Sequence, residues 1–141
     1  MKYLIRRVDI TDPKAVYALA GLQLACLPGD KAFPMDRGWW HVIYIDETPV
    51  GFSGMVPSVR WTDCVYLCRA GVLPEHQGHG LQKRLIRARL AKARALGYKW
   101  AVTDTYDNPA SANSLIANGF RLFRPSDPWA GKDSLFWRLK L

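Results

Sequence analysis

The sequence predicts an α/β fold, a mixed β-sheet with helices on both of its faces. Three observations carry that expectation. β-rich and helical stretches alternate in the order β-α-β-β-β-α-β-α-β-β, and such hairpins and crossovers build a sheet with helices packed against it. A glycine turn, Gly78-His79-Gly80, leads into the most regular helical stretch of the chain. The 141 residues suit one domain, 1–141, and their 49% apolar and 23% charged content matches a soluble globular chain.

The elements follow from local signals. Tyr3 to Val8 alternates weakly as a first strand. Thr11-Asp12-Pro13 starts a helix, with Pro13 near the first helical position. Val16, Leu19, Ala20, Leu22 and Leu24 then recur at helical spacing until Pro28-Gly29-Asp30 breaks the run. Residues 31–38 are irregular. Trp40 to Ile45 and Val50 to Val56 are β-rich, with Asp46-Glu47-Thr48-Pro49 as the turn of a hairpin. Asp63 to Leu73 is another strand. Leu81 to Leu96 is the clearest helix. Leu81, Leu85, Ala88 and Lys92 form one i, i+4 row, Ile86, Leu90 and Ala93 widen its apolar face, and Gly97 caps its end. Trp100 to Thr105 is a strand. Asn108 as N-cap and Pro109 in the first turn open a short helix that Gly119 ends. Phe120 to Phe123 and Leu135 to Leu139 are the last strands, joined through Pro125-Ser126-Asp127-Pro128. They are also a candidate edge for a homodimer. The six tryptophans, Trp39 and Trp40 among them, read mainly as core or sheet-face packing.

Twenty Lys and Arg against twelve Asp and Glu give a net charge of +8. Such a charge attracts an anionic partner, and nucleic acid, a membrane surface or a phosphate-rich small ligand all satisfy it. Scattered Gly and Pro exclude collagen-like or low-complexity structure. No stretch reaches the ~20 apolar residues of a membrane span, and Met1 to Arg7 lacks a signal-peptide pattern. Three cysteines, an odd number, read as thiols of a reducing, cytoplasmic protein. Cys64, Cys68, His76 and His79 look like a zinc set, but residues four apart on a strand are about 13 Å apart. Zinc ligands must all lie within about 2.3 Å of the ion, so no metal is expected.

The chemistry concentrates in Val72-Leu73-Pro74-Glu75-His76-Gln77-Gly78-His79-Gly80-Leu81-Gln82. Two glycines at a strand-to-helix turn let the backbone approach a ligand. The N–H groups of a helix's first turn have no internal partners and sit at the positive end of its dipole, which favours an anion such as phosphate. Lys83, Arg84, Arg87 and Arg89 add charge behind it. A P-loop is excluded, because only one residue separates Gly78 from Gly80. A dinucleotide fingerprint is excluded, because Lys83 stands where a third glycine or alanine belongs.

Gln77-Gly78-His79-Gly80-Leu81-Gln82 does match the first two fixed positions of Gln/Arg-x-x-Gly-x-Gly/Ala, and Asn108 leads to Gly119-Phe120 downstream. With these motifs and this element order, nearly the whole chain resembles the GNAT superfamily of N-acetyltransferases; the first 60 residues match by pattern alone. The resemblance implies a splayed sheet and acetyl-CoA as co-substrate. Pantetheine is then expected beside Gly71 and Val72, with the Val72 N–H polarising the thioester carbonyl. The pyrophosphate is expected on the amides of Gln77, Gly78, His79, Gly80, Leu81 and Gln82, with Lys83 nearby. Asn108 is expected on the pantetheine arm. The acceptor is a primary amine on a small molecule or peptide, attacked directly onto the thioester.

Two positions depart from the family pattern. Gln82 replaces the final Gly/Ala, and Leu115 stands where the family's usual acid, a Tyr, belongs. Protonation of the thiolate then falls to water or to Tyr106, Ser111 or Ser114. A lysine-like amine is protonated at neutral pH and needs a base; Asp104 is the first choice, ahead of Asp63 and Glu75, and a water chain is equally open. Each residue also has a plainer role: Asn108 as an N-cap, the glycines as a tight turn, the basic helix as a solvated face, Asp104 as a surface residue. Two rivals stand beside the enzyme: a basic nucleic-acid-binding module, for which no recognition motif is present, and a CoA-binding fold of this family without catalysis.

Overall fold

Local chemistry sets the helix ends. The Asp12 carboxylate accepts from the Lys14 N–H, and Pro13 occupies the first turn of α1 (Pro13–Cys26). The Asn108 side chain caps α3 (Pro109–Ala117) by accepting from the Ser111 N–H at 3.1 Å. Helix α2 (Leu81–Ala95) and α3 end alike, with Gly97 and Gly119 at positive φ. Behind them, the N–H groups of Tyr98 and Phe120 reach back to the carbonyls of Ala93 and Leu115. This closure satisfies carbonyls that the helix leaves unpaired and turns an apolar residue inward.

The computed structural model describes residues 2–141. Its strands are β1 (Tyr3–Arg7), β2 (Trp39–Ile45), β3 (Thr48–Pro57), β4 (Cys64–Val72), β5 (Trp100–Thr105), β6 (Arg121–Phe123) and β7 (Leu135–Lys140). They form one seven-stranded sheet in the order β1-β2-β3-β4-β5-β7-β6, and it is mixed, as the element order predicts. The β2–β3 hairpin differs from expectation. Its turn is Asp46-Glu47 alone, with Asp46 at φ 53°, while Thr48 and Pro49 pair with Ile45 and Tyr44. A register shift after Ile43 accommodates Pro49, whose missing N–H a regular ladder would not tolerate.

One face of the sheet packs on α1 through Leu19, Leu22, Trp40, Val42 and Phe52. The other packs on α2 and α3 through two clusters, one around Met55, Leu67, Leu90 and Phe120, the other around Ile43, Val50 and Leu85. Trp39 and Trp40 both pack inward, Trp39 against Tyr98 and Trp40 in the α1 core.

The sheet is continuous except at its middle. β4 and β5 run parallel for only three pairs, Cys64 with Trp100, Val65 with Ala101 and Tyr66 with Val102. Beyond them β4 continues to Val72, paired only with β3. In that pairing Cys68 and Arg69 together face Gly54, which is a β-bulge that bends β4 away from β5. Gly54 is required there, because a Cβ would lie 2.3–2.6 Å from three ring carbons of Trp40. Gly54→Ala is therefore expected to cost about 3 kcal/mol, roughly a 10 °C fall in Tm for a domain of this size. Gly21→Ala, in α1 with open space around it, is expected to raise Tm slightly. Thermal denaturation of both variants checks the pair.

Candidate active site

The fork begins where Thr103 Oγ1 donates to the Leu67 carbonyl at 2.8 Å, just beyond the three paired positions. Above it the open edge of β4 faces a cleft. The Leu73 N–H donates to the Val50 carbonyl on the β3 side. Strand alternation therefore turns the N–H and C=O of Val72 to the open side. The Val72 carbonyl accepts from Gln77 Nε2 at 3.1 Å, which holds the glycine loop over the end of β4.

That loop is conformationally specific. Gly78 and Gly80 have φ 82° and 72°, and a Cβ at either would meet nothing within 4 Å. The backbone is thus open to a ligand at both positions. Gly80 is the N-cap of α2 and offers no side-chain cap. The first helical bond runs from the Arg84 N–H to the Gly80 carbonyl, so the N–H groups of Leu81, Gln82 and Lys83 precede any intrahelical partner. Together with the helix dipole they make an anion site.

Two adjoining cavities occupy the cleft. The upper one, about 530 Å³, is lined by Val72, Gln77, Gly78, Gly80 and Lys83 among others. The lower one, about 390 Å³, lies in the fork between Leu67, Arg89, Thr103 and Asp104. Gln82, Asn108, Ser111 and Ser114 line both, so the two are one passage.

The structure brings most of the expected residues to this passage. Gly71 is turned to α1, where a Cβ would lie 2.7 Å from Cys26 Cβ, so its contribution is backbone only. Leu81 is buried beside Leu85. His79 turns back, its Nδ1 at 3.1 Å from the His76 carbonyl, and lines neither cavity. Tyr106 is at the rim of the lower cavity and 67% exposed. Ser111 faces both cavities, whereas the Ser114 hydroxyl donates to the Ala110 carbonyl at 3.0 Å. Leu115 is buried in the core against the lower cavity. Asp63 and Glu75 line neither part of the passage.

Asp104 is the most organised of the candidates. Tyr66 Oη and Trp129 Nε1 each donate to its Oδ1 at 2.8 Å. Burial first, and then the adjacent Asp104 carboxylate, push the Tyr66 hydroxyl well above its ordinary pKa, so it stays a donor. On the α1 face Tyr66 and Trp129 also line a hollow of about 250 Å³ with Phe33 and Trp61. Trp61 and Trp129 therefore depart from the core packing expected of the tryptophans. A chain distance of 25 residues between Asp104 and Trp129 left no local signal for this pairing.

Arg89, expected as charge behind the glycine turn, is instead buried in the fork and lines the lower cavity. It is 4% exposed, and its Nε and Nη1 donate to the carbonyls of Leu85 and Gly54 at 3.3 Å. Burial lowers its pKa to about 10, which leaves it charged at neutral pH. Its position four residues after Leu85 and four before Ala93 on the apolar stripe was the available signal.

An anion-binding turn over a forked mixed sheet, with an ordered carboxylate in the fork, defines an α/β protein with a site for a phosphate-bearing ligand. Comparison with known proteins specifies it. The profile of the Acetyltransferase (GNAT) family matches residues 15–120, and the chain belongs to that family. A comparison of the sequence with curated proteins returns no match. Among solved structures, the chain is similar to the IAA acetyltransferase from Bacillus cereus, with TM-score 0.76 and 18% identity over 99% of this chain and 100% of that one. It is similar to a Bacillus subtilis acetyltransferase in complex with CoA, with TM-score 0.73 and 19% identity over 99% of each chain. It is also similar to the ribosomal-protein-S18-alanine N-acetyltransferase from Escherichia coli, with TM-score 0.74 and 12% identity over 99% of this chain and 94% of that one. Among the described residues no group of three or more His, Cys, Asp or Glu is placed to hold a metal ion. None of the described helices is long and apolar enough to cross a membrane.

Beneath α2 the polar interior makes a pH-dependent demand. His41 is 5% exposed, pairs across β2–β3 with Ser53, and its Nδ1 has no hydrogen-bond partner among the described residues. Burial, then the positive charges of Arg89, Arg7 and Lys92, lower its pKa from 6.5 to about 4. Between those values the unfolded chain takes up a proton that the folded chain refuses. Stability is therefore expected to fall as pH drops from 6.5 towards 4, and to lose nothing further from this group below that. Urea unfolding across this range, with His41→Gln lacking the increment, is the check.

Proposed function

We propose that the chain is an acetyl-CoA-dependent N-acetyltransferase acting on a primary amine. The observation that carries the reading is the continuous passage from the glycine loop to the fork. Its donors and shape fit the co-substrate. The first-turn N–H groups of α2 with Gly78, Gly80 and Lys83 suit the pyrophosphate. The open edge of β4 at Val72 suits the amide-bearing pantetheine arm, and Asn108 and Ser111 face the same passage. Acetyl-CoA supplies the activated thioester when bound.

The chain's own residues do the rest. Asp104, held by Tyr66 and Trp129, receives the ammonium of the acceptor and takes its proton, leaving the nitrogen lone pair free to attack. The Val72 N–H stabilises the negative charge that develops on the carbonyl oxygen. The amine nitrogen forms its bond to the acetyl carbon as the carbon–sulfur bond breaks, and the proton that this nitrogen then sheds passes through water or the Ser111 hydroxyl to the departing thiolate. Leu115 offers no proton there. Gln82 lines the passage at the point where the family motif places a small residue.

The nucleic-acid alternative rests on net charge, and α2 lends it little. Arg89 is buried, and Arg84 donates to the Tyr3 carbonyl at 3.1 Å, so α2 does not present an unbroken basic face. Reading the fold as a binder without catalysis rests on Leu115 and Gln82, and turnover decides it.

Acetyl-CoA at ~100 times its Kd should stabilise the fold by about 2.7 kcal/mol, roughly a 5–15 °C rise in Tm. ATP and a short oligonucleotide should not match it. An equal rise with every anion would reduce the turn to a generic phosphate site. With an amine acceptor, Asp104→Asn should lower kcat/KM by about 10²-fold while keeping its contacts with Tyr66 or Trp129. Unchanged turnover in that variant would remove Asp104 from the chemistry.

A further inference from the structure

The hollow on the α1 face and the lower cavity are joined through Tyr66, which lines both. The wall between them is a stacked pair, the Arg69 guanidinium lying 5.4 Å from the centre of the Phe33 ring. Phe33 faces the hollow, and Arg69 faces the lower cavity together with Asp104. We propose that the acceptor is a zwitterion with an apolar body, the chemistry of a large hydrophobic or aromatic amino acid. Its amine meets Asp104, its carboxylate meets Arg69, and its side chain fills the hollow between Phe33, Trp61, Tyr66 and Trp129. This deepens the acetyltransferase reading and rests on it for the transfer step.

Four features lead there. Arg69 has an unmet donor: its Nε is buried with no partner among the described residues, and Nη1 reaches only the Cys68 carbonyl at 3.5 Å. No carboxylate is within ion-pair distance of it among the described residues; the one ion pair they contain joins Arg60 to Asp127. A ligand carboxylate satisfies such a guanidinium with charge-assisted bonds. Asp104 is the opposite pole. Both of its protein donors bind Oδ1, which leaves Oδ2 for an ammonium group.

The hollow sets the third group. Its lining is aromatic and aliphatic, its charged members are Arg37 and Arg60, and no acidic residue contributes. At about 250 Å³ it is below the ~300–1,000 Å³ of sites for drug-sized ligands and suits one large side chain. Aromatic walls hold such a group by burial and edge-to-face contact; Trp129 already makes such contacts with Trp61 at 5.7 Å and Tyr66 at 6.3 Å. A polyamine is the wrong complement, since its second charge would face Arg37 and no carboxylate lines the hollow to receive it. A peptide N-terminus has no free carboxylate beside its amine for Arg69.

The test compares phenylalanine, tryptophan and leucine with phenylalaninamide, phenethylamine, spermidine and a tripeptide beginning with phenylalanine. Transfer is read by thiol release from acetyl-CoA, and binding by calorimetry on the full chain saturated with CoA. At least one of the free amino acids should exceed all four comparison amines by tenfold or more in kcat/KM, with the same order in affinity. Arg69→Gln should close that gap by raising KM for the amino acid and leave phenethylamine unmoved. If that variant fails to fold, Arg37→Gln and the ligand panel on the native chain still decide. Equal or better use of the amide, phenethylamine, spermidine or the tripeptide overturns the proposal. So does an Arg69→Gln effect that is the same with and without the carboxylate. Amino-acid binding with this preference but no acetyl transfer would sink the catalytic reading and leave this one standing; transfer without the preference would do the reverse.

Discussion

Three residue pairs join β4 to β5, and the site exists because there is no fourth. The cause is geometric. Two residues of β4, Cys68 and Arg69, are spent opposite the single residue Gly54 of β3. The strand bends there, its upper half loses its neighbour, and a row of backbone groups that a sheet would pair is left facing a cleft. Trp40 pins the arrangement from the other face, since its ring occupies the space where any side chain at position 54 would stand. Core packing on the α1 side thereby sets where the sheet opens.

The fork also explains why charged groups are buried at its base. The Gly54 carbonyl at the bulge accepts from Arg89, and the Leu67 carbonyl at the lip accepts from Thr103. Broken ladder positions are thus met by side chains from α2 and β5. A buried guanidinium without a carboxylate is costly to desolvate. Here the cost is partly offset by carbonyl partners, and the lowered pKa of Arg89 records the remainder. Burial first, and then the charge of Arg89, holds His41 neutral, so the two groups beneath α2 are electrostatically linked.

Asp104 shows how the two sides of the sheet share one site. It lies at the end of β5, in the fork, yet both of its donors come from the hollow on the α1 face. A side chain in that hollow touches the same Tyr66 and Trp129 that orient the carboxylate. Occupation of the hollow and the position of the Asp104 carboxylate are therefore coupled through two hydrogen bonds. The glycine loop is the opposite case. It is held by a local bond, Gln77 to Val72, and by one long-range contact, Tyr3 to His76 at 3.0 Å.

Local signals made much of this legible. Caps at Asp12, Asn108, Gly97 and Gly119, the period of α2 and the two glycines of the turn are written in adjacent residues, because capping and helical spacing act over a few positions. The order of elements followed, and with it the family. The exceptions are instructive. Pro49 looked like part of a turn because its missing N–H is local, whereas the bulge that accommodates it is a property of two strands. Arg89 looked like surface charge because its helix is basic, though its stripe position points inward. The partners of Asp104 lie 38 and 25 residues away in sequence. The unmet donor of Arg69 depends on what fails to reach it. By itself the sequence determined the helices, their ends and the anion-binding turn, since those depend on short-range hydrogen bonds and steric preference. Only the tertiary structure decided where the sheet forks, which arginine is buried and which aromatic rings face the carboxylate, because those depend on strands meeting across the whole chain.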